Sequence, residues 1–169
     1  MNGPAQILWI PGPLPGQNEM LNAHGFGGGG RGNRYAKVKK KWTDDIALLA
    51  RVRKLRPLDC CRLRFIWHER HRQRNPDNIA AGKKLVIDGL VKARVLSNDG
   101  WYQVAAFSDE WIVSSSAGVL VVIEPEVRNR SLTISRFAQD AMKAYLGGHG
   151  AHQSRVAQED EGEGPDHGG

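Results

Sequence analysis

The stretch from Arg74 to Trp101, RNPDNIAAGKKLVIDGLVKARVLSNDGW, gathers the residue types best suited to chemistry. It sets Asp77, Asp88 and Asp99 around Lys83 and Lys84, directly after a segment dense in arginine. Carboxylates beside cations suit divalent-metal hydrolysis of a phosphodiester. Hard oxygen ligands hold Mg²⁺, the metal activates water and neutralises charge on the phosphorane, and a lysine assists as that charge builds. Each acid also has a plain structural reading. Asn75-Pro76-Asp77 fits a helix start, with Asn as N-cap, Pro at the first helical position and an acid at the positive end of the dipole. Asp88 lies eleven residues beyond Asp77, ~16 Å along a straight helix, too far to share an ion, and is read as structural. Asp99 followed by Gly100 suits a turn.

These residues need elements to hold them. Gln6 to Ile10 reads as an edge strand ended by Pro11, Pro13 and Pro15. Residues 22–34 are glycine-rich and predict a mobile loop. Tyr35 to Lys54 has helical spacing, with Val38, Trp42, Ile46, Leu49 and Val52 on one stripe. Lys37, Lys39, Lys40 and Lys41 crowd its first turns, which suits the helix dipole only if an anion lies near. Residues 62–74 alternate: Leu63, Phe65 and Trp67 on one parity, Arg62, Arg64, Arg70, Arg72 and Arg74 on the other. Period two predicts a strand whose basic face, short of balancing acids, contacts phosphate. A helix over 76–93, strands at Tyr102–Phe107 and Val119–Glu124, and a helix from Leu132 to Leu146 ending at Gly147-Gly148 follow. The expected fold class is α+β, a mixed sheet with flanking helices in the order βαβαββα.

The order of these motifs resembles the RusA family of Holliday junction resolvases, which is common in prophages. An early turn, Pro13-Leu14-Pro15-Gly16-Gln17-Asn18, precedes Asp77-Asn78, then Lys84 four residues before Asp88-Gly89-Leu90, then Asp99. The likeness covers roughly residues 6–125. The family's first aspartate falls on Asn75, and its late acid pair reads Asn98-Asp99. The resemblance implies an endonuclease of DNA recombination and repair, dependent on Mg²⁺ and acting as a homodimer on four-way junction DNA. In that reading Asp77 and Asp99 are catalytic metal ligands and Asn75 a neutral one. Lys84 stabilises the transition state, with Lys83 competing for that role because the spacing from Asp77 is longer than in the family's shortest forms. Arg70, Arg72, Arg74, Lys37, Lys39, Lys40 and Lys83 would contact DNA. A family member that binds branched DNA without cutting it is the alternative.

Composition agrees with a polyanionic partner. The 169 residues carry a net charge of +6, and residues 147–169 hold five acids against one base, so residues 1–146 carry +10. Residues 1–146 are read as one domain and the acidic 147–169 as a disordered tail. Only two cysteines occur, Cys60 and Cys61, too few for a disulfide framework or a zinc site. No apolar run approaches the ~18 residues of a membrane span, and the first residues lack the basic start of a signal peptide, so the expected location is cytoplasmic. Gly25-x-Gly27-x-x-Gly30 formally matches a dinucleotide fingerprint but follows no strand, so no nucleotide cofactor is expected. His68 and His71 fall on opposite faces of a strand and do not form a zincin motif. Trp42, Trp67 and Trp111 are read as core.

Overall fold

The structure is a computed structural model that describes residues 3–24, 32–126 and 139–144. The chain divides into two compact units, Met1–Arg128 and Asn129–Gly169. In the second, residues 139–144 are helical and exposed. The rest of the expected Leu132–Leu146 helix, and the acidic tail, lie outside the described residues, as does the Gly25–Gly30 motif.

The first unit runs β1 (Gln6–Pro11), α1 (Gln17–His24), α2 (Gly32–Val52), β2 (Cys61–Glu69), α3 (Pro76–Ala80), α4 (Lys83–Lys92), β3 (Val104–Val113) and β4 (Gly118–Pro125). It is a mixed α+β fold. The sheet order is β1-β4-β2-β3, with β4 antiparallel to both neighbours and β2 parallel to β3. The α3–α4 pair is the crossover that a parallel pair requires. The consecutive strands β3 and β4 do not pair, because β2 lies between them.

Alternation decides which face of the sheet is covered. Leu8 and Ile10 of β1, Leu63, Phe65 and Trp67 of β2, and Val119, Val121 and Ile123 of β4 are all buried, and they share one face through the registers Phe65↔Val121 and Leu8↔Val121. Ile46 and Ala50 of α2 and Leu85, Val86 and Leu90 of α4 complete that core. Gly89 lets the two helices meet: a Cβ there would stand 2.4 Å from Ile46 Cγ2. At the edge, the buried Gln6 side chain accepts from Arg56 N at 2.6 Å and donates to Arg56 O at 3.0 Å, so burial of this amide costs no hydrogen bond.

Several expectations shift. The glycine-rich region is helical at 22–24, in α1, and α2 starts at Gly32, so Lys37–Lys41 stand about one and a half to two and a half turns inside the helix rather than at its dipole end. Two of these lysines are balanced at i,i+4, Lys40 by Asp44 and Lys41 by Asp45, each at 2.7 Å. The helix expected over 76–93 is split at Ala81-Gly82, and β3 begins two residues later and runs six further than expected. The strand at 62–74 stops at Glu69, so Arg70, Arg72 and Arg74 leave the alternation. The balancing acids missing from the local sequence come from across the sheet: Glu126 pairs with Arg62 and Glu124 with Arg64.

Candidate active site

The early turn and the Asn75–Asn78 segment, sixty residues apart, are pinned together. Asn18 N donates to Asn78 Oδ1 at 2.9 Å, and Arg74 Nη2 donates to Leu14 O at 3.0 Å. Gly16 lies between them: a Cβ there would stand 2.6 Å from Arg74 Nη2 and 2.7 Å from Asn78 O. Arg74 also donates to Glu69 Oε1 at 2.9 Å and lies 3.6 Å from Glu19. Its side chain is only 20% exposed. A guanidinium so occupied is a fastener of the fold, which is the physical reason it is a poor candidate for the phosphate contact expected of it.

This clamp presents the start of α3. Asn75 stands at the N-cap with φ −71° and ψ 146°, yet its side chain makes no capping hydrogen bond, and Pro76 follows at the first helical position. Asp77 is in the first turn and exposed. Its carboxylate makes no hydrogen bond or ion pair with any described residue. The N-cap reading of Asn75 therefore holds for the backbone and not for the side chain, and two oxygen-bearing side chains, two residues apart in sequence, remain uncommitted at the surface.

Asp99 is placed differently. Its Oδ2 accepts from Lys84 Nζ at 2.6 Å, and the same ammonium lies 2.8 Å from Asp88 Oδ1. Asp88 Oδ2 is 3.0 Å from Lys39 Nζ, at an angle that gives an ion pair without a hydrogen bond. Lys39 of α2, Lys84 and Asp88 of α4, and Asp99 thus form one alternating chain of charge. Asp88, read from spacing as structural, is its centre, with a side chain 17% exposed. Hydrogen bonds to Asp88 and Asp99 hold the Lys84 ammonium above its ordinary pKa, and Lys84 in turn holds the Asp99 carboxyl below the usual range. Such a lysine stays a cation at neutral pH; it can attract phosphate oxygen but cannot act as a base.

Lys84, not Lys83, contacts Asp99. Lys83 points the other way, donating to Asp109 Oδ2 at 2.6 Å over the ring of Phe107, while Trp67 Nε1 donates to Asp109 Oδ1 at 2.9 Å. This Trp67–Asp109–Lys83 cluster was not legible in the sequence, because Asp109, between Ser108 and Glu110, lies past the end of the strand expected at Tyr102–Phe107 and has no motif around it. The structure brings Lys84 and Asp99 together but places no contact between Asp77 and Asp99. Among the described residues, no three acid, histidine or cysteine side chains gather closely enough to hold a metal ion. Asp77 with the Asn75 amide oxygen is still a hard-oxygen pair of the kind Mg²⁺ uses, since that ion takes one or two carboxylates and completes its shell with water and substrate phosphate.

The remaining candidates are accounted for. Arg72 and His71 lie exposed in the loop after β2, and Arg70 beside them. His68 meets Trp9 edge-on, with ring centroids 4.9 Å apart, on the sheet face away from the helices. Cys60 and Cys61 are buried free thiols, and burial pushes Cys61 up to about 12, so Cys61 is not a nucleophile at neutral pH. Trp67 is core and Trp42 packs against it, whereas Trp111 is 43% exposed. No helix among the described residues is long and apolar enough to cross a membrane. No family model and no curated protein matches the chain.

Proposed function

We propose that this chain is a RusA-like, Mg²⁺-dependent endodeoxyribonuclease that nicks four-way DNA junctions. The observation that carries the reading is the clamp: two of the sequence motifs on which the resemblance rests meet in space, and they hold Asn75 and Asp77 with their side chains uncommitted. The charge of +10 on residues 1–146 supplies the attraction to DNA.

In this reading Asp77 is the principal metal carboxylate and Asn75 a neutral ligand beside it. Asp99 would be the second metal carboxylate, a role that would require it to give up Lys84. The metal, when bound, supplies an activated water and neutralises the leaving oxygen. Lys84 stays protonated and stabilises negative charge on the phosphate, and Lys37, Lys40, Arg70 and Arg72 hold the strands. A junction with two-fold symmetry needs two symmetric incisions, so the working unit is a C₂ homodimer. The second reading, a binder that does not cut, rests on Asn75 in place of an acid and on Asp99 being tied to Lys84.

One experiment separates the two. Wild type and Asn75→Asp are incubated with a labelled four-way junction, with and without Mg²⁺. Paired nicks by wild type are the expected result. Cutting by Asn75→Asp alone establishes the binder, and failure of both to cut a junction they bind removes Asn75 and Asp77 from the site.

A further inference from the structure

Beside Asn75, the end of β3 and the loop after β2 enclose a cleft of ≈ 620 Å³. One wall is apolar: Trp111, Ile112 and Val113 of β3 with Pro76 of α3. The lining also carries His71 and Arg72, neither of which makes an ion pair or hydrogen bond with any described residue, and the Glu69–Arg74 pair, whose charges offset each other. The volume falls within the ~300–1,000 Å³ of small-molecule sites. Trp111, Ile112 and Val113 are 43%, 43% and 56% exposed, which is costly for apolar side chains with nothing against them.

An indole, a guanidinium and an imidazole around one cleft make the combination that single nucleotides occupy: the base stacks on the aromatic and the phosphate meets the cation. Asn75 lines the cleft, so its occupant would be next to the residues proposed to act on the phosphodiester. A base inside a continuous duplex is stacked and paired and cannot enter. A base at a branch point is released at less cost. We propose that this cleft takes one unstacked nucleotide of the DNA strand adjoining the phosphate that is cut, with its base on Trp111 and its phosphate on Arg72. The inference rests on the function proposed above and adds to it the means by which branched DNA is told from duplex.

The test uses the full chain and a four-way junction carrying 5-iodouracil in place of thymine at the crossover. A continuous duplex of the same sequence is the control. Long-wavelength ultraviolet light joins this base to an aromatic ring stacked on it, and peptide mapping locates the link. The expected result is a crosslink at Trp111 with the junction and none with the duplex. Trp111→Ala should weaken junction binding by roughly 5- to 100-fold, leave duplex binding within about twofold, and be largely restored by Trp111→Phe. A crosslink mapped to another aromatic, or unchanged junction affinity in Trp111→Ala, overturns the inference while leaving the proposed function intact. A change in oligomeric state in Trp111→Ala also overturns it, assigning the cleft to a chain–chain contact. Absence of junction binding by wild type overturns the proposed function itself.

Discussion

The two ends of the α3–α4 crossover treat their carboxylates in opposite ways. At the α3 end, Asp77 is exposed and uncommitted, beside an Asn75 side chain that declines its usual capping bond. At the α4 end, Asp88 and Asp99 share Lys84, and Asp88 also faces Lys39. Same residue type, same stretch of chain, different capacity. A free carboxylate can bind a cation from solution without breaking anything, whereas Asp99 must first give up an ion pair that already lowers its pKa. The closed end is built to keep a lysine charged and in place. The open end is the one with valence to spare.

That contrast can be broken in three ways. The largest effect is expected from Asp77→Asn: junction nicking should fall by at least ~100-fold, while the free energy of urea unfolding moves by no more than ~0.5 kcal/mol, as for an ordinary surface change. Equal loss of stability and activity would show that Asp77 is structural and that the open end is not the working end. Next comes Gly89→Ala. Its Cβ would stand 2.4 Å from Ile46 Cγ2, and overpacking of this kind costs about 1–3 kcal/mol. Urea unfolding should show that loss; a neutral result would mean that α2 and α4 do not fix the Lys39–Asp88 pair.

The smallest effect is expected from pH. The folded-state pKa of Asp99 lies below its ordinary 3.8, so its contribution is complete above that value and drains as pH falls through the lowered one. Asp44, hydrogen-bonded by Lys40 and Lys92, is lowered to about 2 and behaves likewise. Lys84 runs the other way: its pKa is raised above 10.5, so its contribution is complete below that value and is lost as pH rises through the raised one. Thermal melting from pH 5 to 2 should therefore show a small decline that Lys84→Gln reduces. A decline of the same size in that variant would mean that the Lys84–Asp99 pair contributes nothing to stability.

Much of the scaffold was legible because it follows period and punctuation. Alternation through Leu63, Phe65 and Trp67 identified the buried face of β2, and Pro11 identified the end of β1. The same rule misjudged Arg70, Arg72 and Arg74, since the parity continues in sequence past the point where the backbone leaves the sheet. Trp111 fell on an apolar pattern and was read as core; it is 43% exposed because β3 is an edge strand, while its register partner Trp67, one strand further in, is buried. Asp77 and Lys84 were singled out by motif, but that Asp88 would join Asp99 while Asp77 stood apart was not readable from spacing, which measures distance along a helix and not what a second helix brings to its flank.

By itself the sequence determined which residues could form elements, which side of each was apolar, and that the body is a strong cation. These are properties of neighbours within a few positions, governed by backbone sterics, side-chain period and composition. Only the tertiary structure decided which charges are spent. Arg62 and Arg64 meet Glu126 and Glu124 across the sheet, Arg74 is consumed by Glu69 and the early turn, and Lys83 by Asp109. Each pair joins segments that meet only when the sheet assembles, apart from Arg74–Glu69, which needs the turn that ends β2. Asn75, Asp77, His71 and Arg72 are among the described residues that this pairing leaves uncommitted, and so open to a partner.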